Sequence, residues 1–316
     1  MPKSRTSYTS RSGFMDDRWV AALRLGGLTL CLCLASGAAA QTPADAATEA
    51  GSLVDEIPEW IGPLAPVDTA ERAAREFARR HPYVDDVFDL GEHLSFSVRY
   101  GPIRAGQATM TIRGIEVIDG DSCYHVVTTA GSNDFFSTFF HVRDRVESFM
   151  DMATLLPRRF EKHLQEGGYA STEIVHFDHG NQIAVYQGFA GEADEIVELW
   201  PSCHDILSAF YAVRTRDFDP GEAFFLDSHT SKRNYPLKVI AHRRERVDVP
   251  AGAFDCLVVE PVLRTPGLFK HEGELRIWLT DDRRKIPVQM KSALPIGSIS
   301  VVLLEVAGRT DWVPQR

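Results

Sequence analysis

The sequence predicts an all-β protein: a single antiparallel open barrel or strongly curved sheet of about ten strands, with one main helix near residues 204–215 and a short N-terminal helix. Three observations carry this. From Phe88 to about Val306 the apolar residues recur with a period of two, the mark of strands with one buried face. The runs are separated by short turn-forming strings, which join antiparallel neighbours rather than parallel ones. One segment, Asp205–Thr215, breaks that period and has helical spacing instead.

Taken in chain order, residues 1–40 come first. Arg18 and Arg24 flank an apolar run from Leu23 to Ala35, and the small residues Ser36–Ala40 precede Gln41. A basic region, a short apolar stretch and an A-x-A ending predict a secretory signal peptide cleaved between Ala40 and Gln41. The run is shorter than the roughly 20 apolar residues a membrane span needs, so no transmembrane segment is expected after cleavage. Leu30 and Leu32 precede Cys31 and Cys33 where lipid attachment would require small residues, which favours soluble export.

Residues 41–87 read as a linker punctuated by Pro58, Pro63 and Pro66. Within it Thr69–His81 has the N-cap and the following Pro82 of a short helix. Trp60, Phe77 and Tyr83 are placed to pin it to the main body. The β domain is expected over 88–306, with a tail at 307–316.

Inside the domain, Leu94, Phe96, Val98 and Tyr100 alternate with Ser95, Ser97 and Arg99, and Ala108, Met110 and Ile112 with Thr109, Thr111 and Arg113. Further runs lie at Phe140–Val146, Ile183–Val185, Leu237–Val239, Leu275–Leu279 and Val288–Met290. Turn chemistry marks Gly101–Gly106, Asp178–Asn181, Pro250–Gly252 and Asp281–Lys285. In the helical segment Ile206, Ala209, Phe210 and Val213 share one face, and Pro220-Gly221 follow its end.

The chain carries a formal charge of −10. Residues 1–40 hold five of the 34 basic and two of the 44 acidic residues, so the remainder is more acidic, at −13. That charge argues against nucleic acid as a partner. Cys123, Cys203 and Cys256 remain after cleavage, an odd number with no metal-ligand spacing; buried free thiols are expected.

The densest polar pattern is Phe139–Tyr169. On extended backbone His141, Arg143, Arg145 and Glu147 share one face, and so do Arg159, Glu161 and His163 on the next strand. If the two strands form a hairpin, the rows lie side by side. Arg143, Arg145, Glu147, Arg159, Glu161 and His163 are therefore the ligand-binding candidates. Two readings stay open. One is a solvated face of ion pairs, each worth at most about 1 kcal/mol. The other is a concave wall that binds an anionic headgroup, carboxylate or sugar acid through arginine forks. Packing and helix capping account for Cys203, His204 and Asp205, so no catalytic residue, metal ligand or cofactor is assigned. Asn133–Phe140 (NDFFSTFF) holds more aromatic surface than one strand face buries; core packing is the first explanation, a hydrophobic mouth or partner contact the second, with Leu294–Ile299 (LPIGSI) as an apolar loop at the same kind of rim. Phe224, Phe225, Phe269 and Trp278 are expected in the core.

Several of these strings together resemble one bacterial family. GEHLSFSVRYGPIRAGQATM, FFHVRDRVESFMD, LPRRFEKHLQEGGY, DILSAFYAVRT, YPLKV, VPAGAFDCLVVEP and IWLTDDRRKIPVQMKS are similar, in order, to the domain-of-unknown-function 3108 family over about residues 88–306. The resemblance implies an exported β-rich protein of Gram-negative bacteria and supplies no catalytic residues. The expectation is a periplasmic, non-enzymatic binding or envelope-maintenance module for a hydrophobic or amphipathic ligand such as a lipid or cell-envelope fragment. Two alternatives stand beside it: an envelope hydrolase using Glu147 or Glu161 with His163, and a scaffold docking on an outer-membrane assembly through Asn133–Phe140.

Overall fold

The computed structural model describes residue 87 and residues 89–263, 275–293 and 297–308. The expected signal peptide, the helix at Thr69–His81, Trp60, Phe77, Tyr83, Phe269, residues 294–296 of the Leu294–Ile299 string and the residues beyond Gly308 lie outside the described residues.

Fourteen strands build one antiparallel sheet among the described residues. They are β1 (His93–Tyr100), β2 (Ile103–Ile118), β3 (Asp121–Ser132), β4 (Arg143–Asp151), β5 (Pro157–Glu166), β6 (Tyr169–Asp178), β7 (Ile183–Tyr186), β8 (Glu195–Glu198), β9 (Ala223–Thr230), β10 (Arg233–Val249), β11 (Gly252–Leu263), β12 (Leu275–Thr280), β13 (Pro287–Ala293) and β14 (Ser298–Ala307). The spatial order is β8-β7-β6-β5-β4-β3-β2-β1-β14-β13-β12-β11-β10-β9. Two meanders thus run outward from the middle, where β1 pairs with β14 from His93↔Ala307 to Tyr100↔Ile299.

The all-β class and the antiparallel meander agree with the sequence, but the strand count does not. Fourteen strands replace about ten, and the sheet is not closed. Alternation fails as a signal in strands covered on both faces. In β3 every residue from Cys123 to Thr128 is buried, and in β4 every residue from Val146 to Asp151. At the other extreme, the four residues of β8 are largely exposed. The first turn also proves tighter than Gly101–Gly106: Gly101 and Pro102 alone separate the strands, and Ile103–Gly106 already pair in β2.

Two helices interrupt the sheet. Asn133–Phe140 is not strand but the short helix α1 (Asp134–Ser137), whose N-cap Asn133 accepts from Phe136 N at 2.9 Å. The helix expected near 204–215 is α2 (Ile206–Arg214). Asp205 caps it, its Oδ1 accepting from Leu207 N and Ser208 N at 2.7 and 2.8 Å, as an N-cap carboxylate does.

α2 fills the inside of the curved sheet. Leu207, Ala209, Tyr211, Ala212 and Val213 are buried within one cluster with Leu94, Phe96, Met110, Val126, Met150, Phe160, Leu226, Leu279 and Leu303, drawn from both arms. Ser148 of β4 donates to Asp205 at 2.5 Å, which ties the start of the helix to one arm. The fully buried Arg214 ties its end to the sheet's middle. Its guanidinium donates to both carboxylate oxygens of Glu92, just before β1, at 2.7 and 3.0 Å. It also donates to the carbonyls of Val87 at 3.2 Å and of Arg284, in the β12–β13 turn, at 3.1 Å.

The edges approach without pairing as strands. Tyr186 of β7 hydrogen bonds His229 Nε2 at 2.9 Å and accepts from Lys232 N at 2.8 Å. Asn234 bonds His229 Nδ1 at 2.7 Å and donates to Glu198 O at 2.8 Å. Side chains from β7 and β9–β10, with the bridge His204↔Ser228, close this seam.

The Arg214–Glu92 pair predicts a distinctive mutational pattern. Removing one partner strands a buried charge and costs about 3–5 kcal/mol, whereas replacing both by apolar groups of similar volume is far milder. In urea denaturation Arg214→Met is therefore expected to lose most of the stability, and Arg214→Met with Glu92→Leu to recover much of it. Additive losses would contradict this account.

Candidate functional site

The two rows expected from the sequence do lie side by side. In the β4–β5 hairpin Arg145 faces His163, Glu147 faces Glu161 and Phe149 faces Arg159. They are not on a concave wall. Val146, Ser148 and Met150 point toward α2, so the alternate residues Arg145, Glu147 and Phe149 occupy the face turned away from it. Arg143, which begins β4 on that same face, is exposed, as is His141 before it.

Two carboxylates directly opposite one another repel, and the neighbouring side chains compensate. Glu147 and Glu161 are both buried. Arg145 bridges to Glu147 through Nε and its second nitrogen. Arg159 reaches Glu161 at 2.5 Å, and His163 Nε2 lies 3.4 Å from the same carboxylate. On β3, His125 stacks on Phe149 with ring centroids 4.4 Å apart. Its Nε2 meets Glu147 at 2.6 Å and its Nδ1 meets Glu116 of β2 at 2.8 Å. Sequence reasoning missed His125 and Glu116; the signal lay in the phase of Cys123, His125 and Val127, which matches the charged row once β3 is paired with β4.

Burial works against charge on Glu147, but hydrogen bonds from His125 and Arg145 and their positive charges outweigh it and hold the carboxyl down at about 2. Burial also works against the His125 imidazolium, yet its bonds to Glu116 and Glu147 raise its pKa above the ordinary value. The donor atoms of Glu147, Glu161 and His163 lie within 4.8 Å of one another, a spacing compatible with a cation. Arg145 already pairs with Glu147 and Arg159 with Glu161, and His125 hydrogen bonds Glu147, so both carboxylates have partners from within the chain.

The family can now be placed. The one described as "Protein of unknown function (DUF3108)" matches residues 95–304. The chain belongs to this family. The strings that carried the resemblance build the site and its support in this DUF3108 domain: FFHVRDRVESFMD contains β4, LPRRFEKHLQEGGY contains β5, and DILSAFYAVRT is α2 with both caps. No curated protein matches the chain. Among solved structures, a beta-barrel-like protein of domain of unknown function DUF1849 from Brucella abortus is similar at 7% identity, over 70% of this chain and 98% of that one, with a TM-score of 0.48. A DUF1089 family protein from Pseudomonas aeruginosa is similar at 12% identity, over 55% and 85%, with a TM-score of 0.31. No helix among the described residues is long and apolar enough to cross a membrane.

The DUF3108 interior offers no nucleophile–base pair at Cys203-His204-Asp205. Burial pushes the Cys203 thiol up to about 12 and the His204 imidazole down to about 4, and it raises Asp205 to about 6. Asp205 is spent on the helix cap and Ser148, while His204 Nδ1 meets Ser208 at 3.2 Å. Cys123, Cys203 and Cys256 are free and buried, as expected.

The aromatic runs divide. Phe140 and Trp278 are buried and Phe224 is partly so; Phe135, Phe139 and Phe225 are exposed, against the expectation of core packing. Trp278 packs in a second apolar cluster with Phe254, Cys256, Val258 and Val288, away from α2.

The His125 clamp fixes the sign of a pH effect. A raised folded pKa contributes stability fully below the unfolded value near 6.5, and the contribution is lost as pH rises through the folded pKa. Glu116 and Glu147 act oppositely: their contribution is present above the ordinary 4.5 and is lost as pH falls, for Glu147 toward about 2. The melting-temperature difference between wild type and His125→Gln should be largest from about pH 5 to 6.5 and shrink on the alkaline side. A difference that does not change with pH would rule out a charged clamp.

Proposed function

We propose that this DUF3108 protein is a non-enzymatic binding module of the Gram-negative envelope, exported to the periplasm, that engages an amphipathic envelope component at its surface. The observation that carries the reading is the arrangement of the β4–β5 rows: arginine side chains lie over buried, compensated carboxylates. Arg143, Arg145, Arg159 and His163 reach solvent while Glu147 and Glu161 sit beneath them. Such a surface offers guanidinium N–H donors to an anionic group.

Two further points favour a surface ligand and no chemistry. The inside of the sheet is occupied by α2, so a ligand there would have to displace Leu207 and Tyr211. A general acid must exchange its proton near the working pH; Glu147, held at about 2, stays ionised. The hydrolase alternative built on Glu147, Glu161 and His163 is correspondingly weaker.

Co-sedimentation with isolated Gram-negative envelopes tests the reading. Wild-type protein should be retained, and Arg143→Glu, at an exposed position, should lower retention several-fold with an unchanged melting temperature. Equal retention of both proteins would remove the site. Hydrolysis of peptidoglycan by the wild type, abolished in Glu161→Gln, would overturn the non-enzymatic reading.

A further inference from the structure

Three consecutive turns at one end of the sheet carry apolar side chains into solvent. Ile103, just after the β1–β2 turn, is 51% exposed; Phe135 and Phe139, in and after α1, are 63% and 61% exposed; Tyr169, at the β5–β6 turn, is 41% exposed. Removing large apolar groups from water is favourable, so several at one end of a fold mark a contact surface.

The turns are locked to one another. Asn133 donates through its side chain to Arg104 O at 2.7 Å and through its backbone to Ala105 O at 2.9 Å, which fixes the start of α1 against the start of β2. Ser132 and Ser137 hydrogen bond at 2.7 Å across the base of α1. Phe135 packs edge-on against both Phe136 and Phe139, at 5.8 and 5.4 Å between centroids. On the other side Gly167 N donates to His141 O at 2.7 Å. Gly167 has a φ of +60°, and a Cβ there would fall 2.9 Å from the Phe140 ring, so the β5–β6 turn closes tightly on the segment after α1. The aromatic side chains are therefore held out on a stiff base, and their exposure is not the result of a loose loop.

The exposed charge around this apolar rim is mostly basic, unlike that of the whole chain. Arg99, Arg104 and Arg143 are all exposed there, with Asp134 as the exposed acidic neighbour while Asp144 and Glu166 are buried, in a protein of net charge −10. An acidic protein that concentrates exposed arginines around protruding Phe, Ile and Tyr side chains presents the two features an anionic bilayer selects. Apolar groups enter the headgroup–acyl boundary, and cations sit at the anionic headgroups. Tyr169 suits such a boundary, with an apolar ring and a polar tip.

We infer that the α1 end of the sheet is a membrane-docking surface that seats on a bilayer rich in anionic phospholipid. The inference rests on the envelope-binding reading above and names its partner; Arg143, at the start of β4, belongs to both surfaces. The occupant is a lipid surface, because the exposed apolar side chains sit on separate turns with exposed arginines among them: each tip can enter a soft interface independently, while arginines follow the headgroup plane.

Vesicle flotation tests it. The probes are phosphatidylglycerol–phosphatidylcholine vesicles and pure phosphatidylcholine vesicles. Wild-type protein should float with the first and stay behind with the second, and added salt should weaken the association. Phe135→Ser with Phe139→Ser, and separately Arg104→Glu, should each lower the floated fraction by about tenfold. These side chains are exposed, so thermal melting should be unchanged; a lowered melting temperature with normal flotation would show that they serve folding and overturn the assignment. Equal binding to both vesicle types would remove the anionic requirement. If vesicles do not bind while isolated envelopes still retain the protein, docking is overturned and the envelope-binding reading stands, with a protein or glycan as partner. If neither retains it, both fall.

Discussion

A guanidinium buried in an apolar interior is tolerable only where its charge and its N–H groups are matched, and Arg214 is matched from three directions. Glu92 supplies the counter-charge in bidentate geometry, while the carbonyls of Val87 and Arg284 take further donors. Those partners belong to the segment leading into β1 and to the β12–β13 turn. One side chain at the end of α2 therefore sets the position of the sheet's central strand relative to a turn in the other arm. The opposite end of α2 is fixed by Asp205 to Ser148. With both ends anchored, the helix becomes the solid interior around which the two meanders curve, and the faces available for recognition are those turned away from it.

That division explains the character of the β4–β5 face. Glu147 and Glu161 are cross-strand neighbours, an arrangement that is unfavourable in isolation. It becomes tolerable because Arg145, Arg159, His163 and His125 each approach one of the two carboxylates. Compensation of this kind is a structural function: it locks three strands together through side chains. The same compensation keeps Glu147 ionised and leaves arginine side chains at the surface.

Much of the architecture was legible from residue order because hairpins are local. Asp178–Asn181, Asp281–Lys285 and Gly167-Gly168 all sit at turns, and α2 begins and ends within a residue of where Asp205 and Thr215 place it. The pairing of the two charged rows was legible for the same reason. Their orientation was not, because period two states which residues share a face and never which face is inside. β8 escaped by its length. The string NDFFSTFF misled in another way: its aromatic content suggested a buried strand, while Asn133 is a helix cap whose bond to Phe136 N turns the chain and leaves Phe135 and Phe139 in solvent. The Arg214–Glu92 pair joins residues 122 positions apart and had no local signature.

The position of β1 beside β14 has a consequence for assembly. Every other ladder joins strands that follow one another in the chain, whereas this one brings together His93 and Ala307, roughly 200 residues apart. The entropic cost of closing so large a loop is higher than for any hairpin, and it is met in one step by a ladder running the full length of β1. Each arm can organise from its own local contacts, but the central ladder has to wait for the last strand to be made. Contact order, concentrated here in a single seam at the middle of the sheet, makes joining the halves the slow event in forming this molecule.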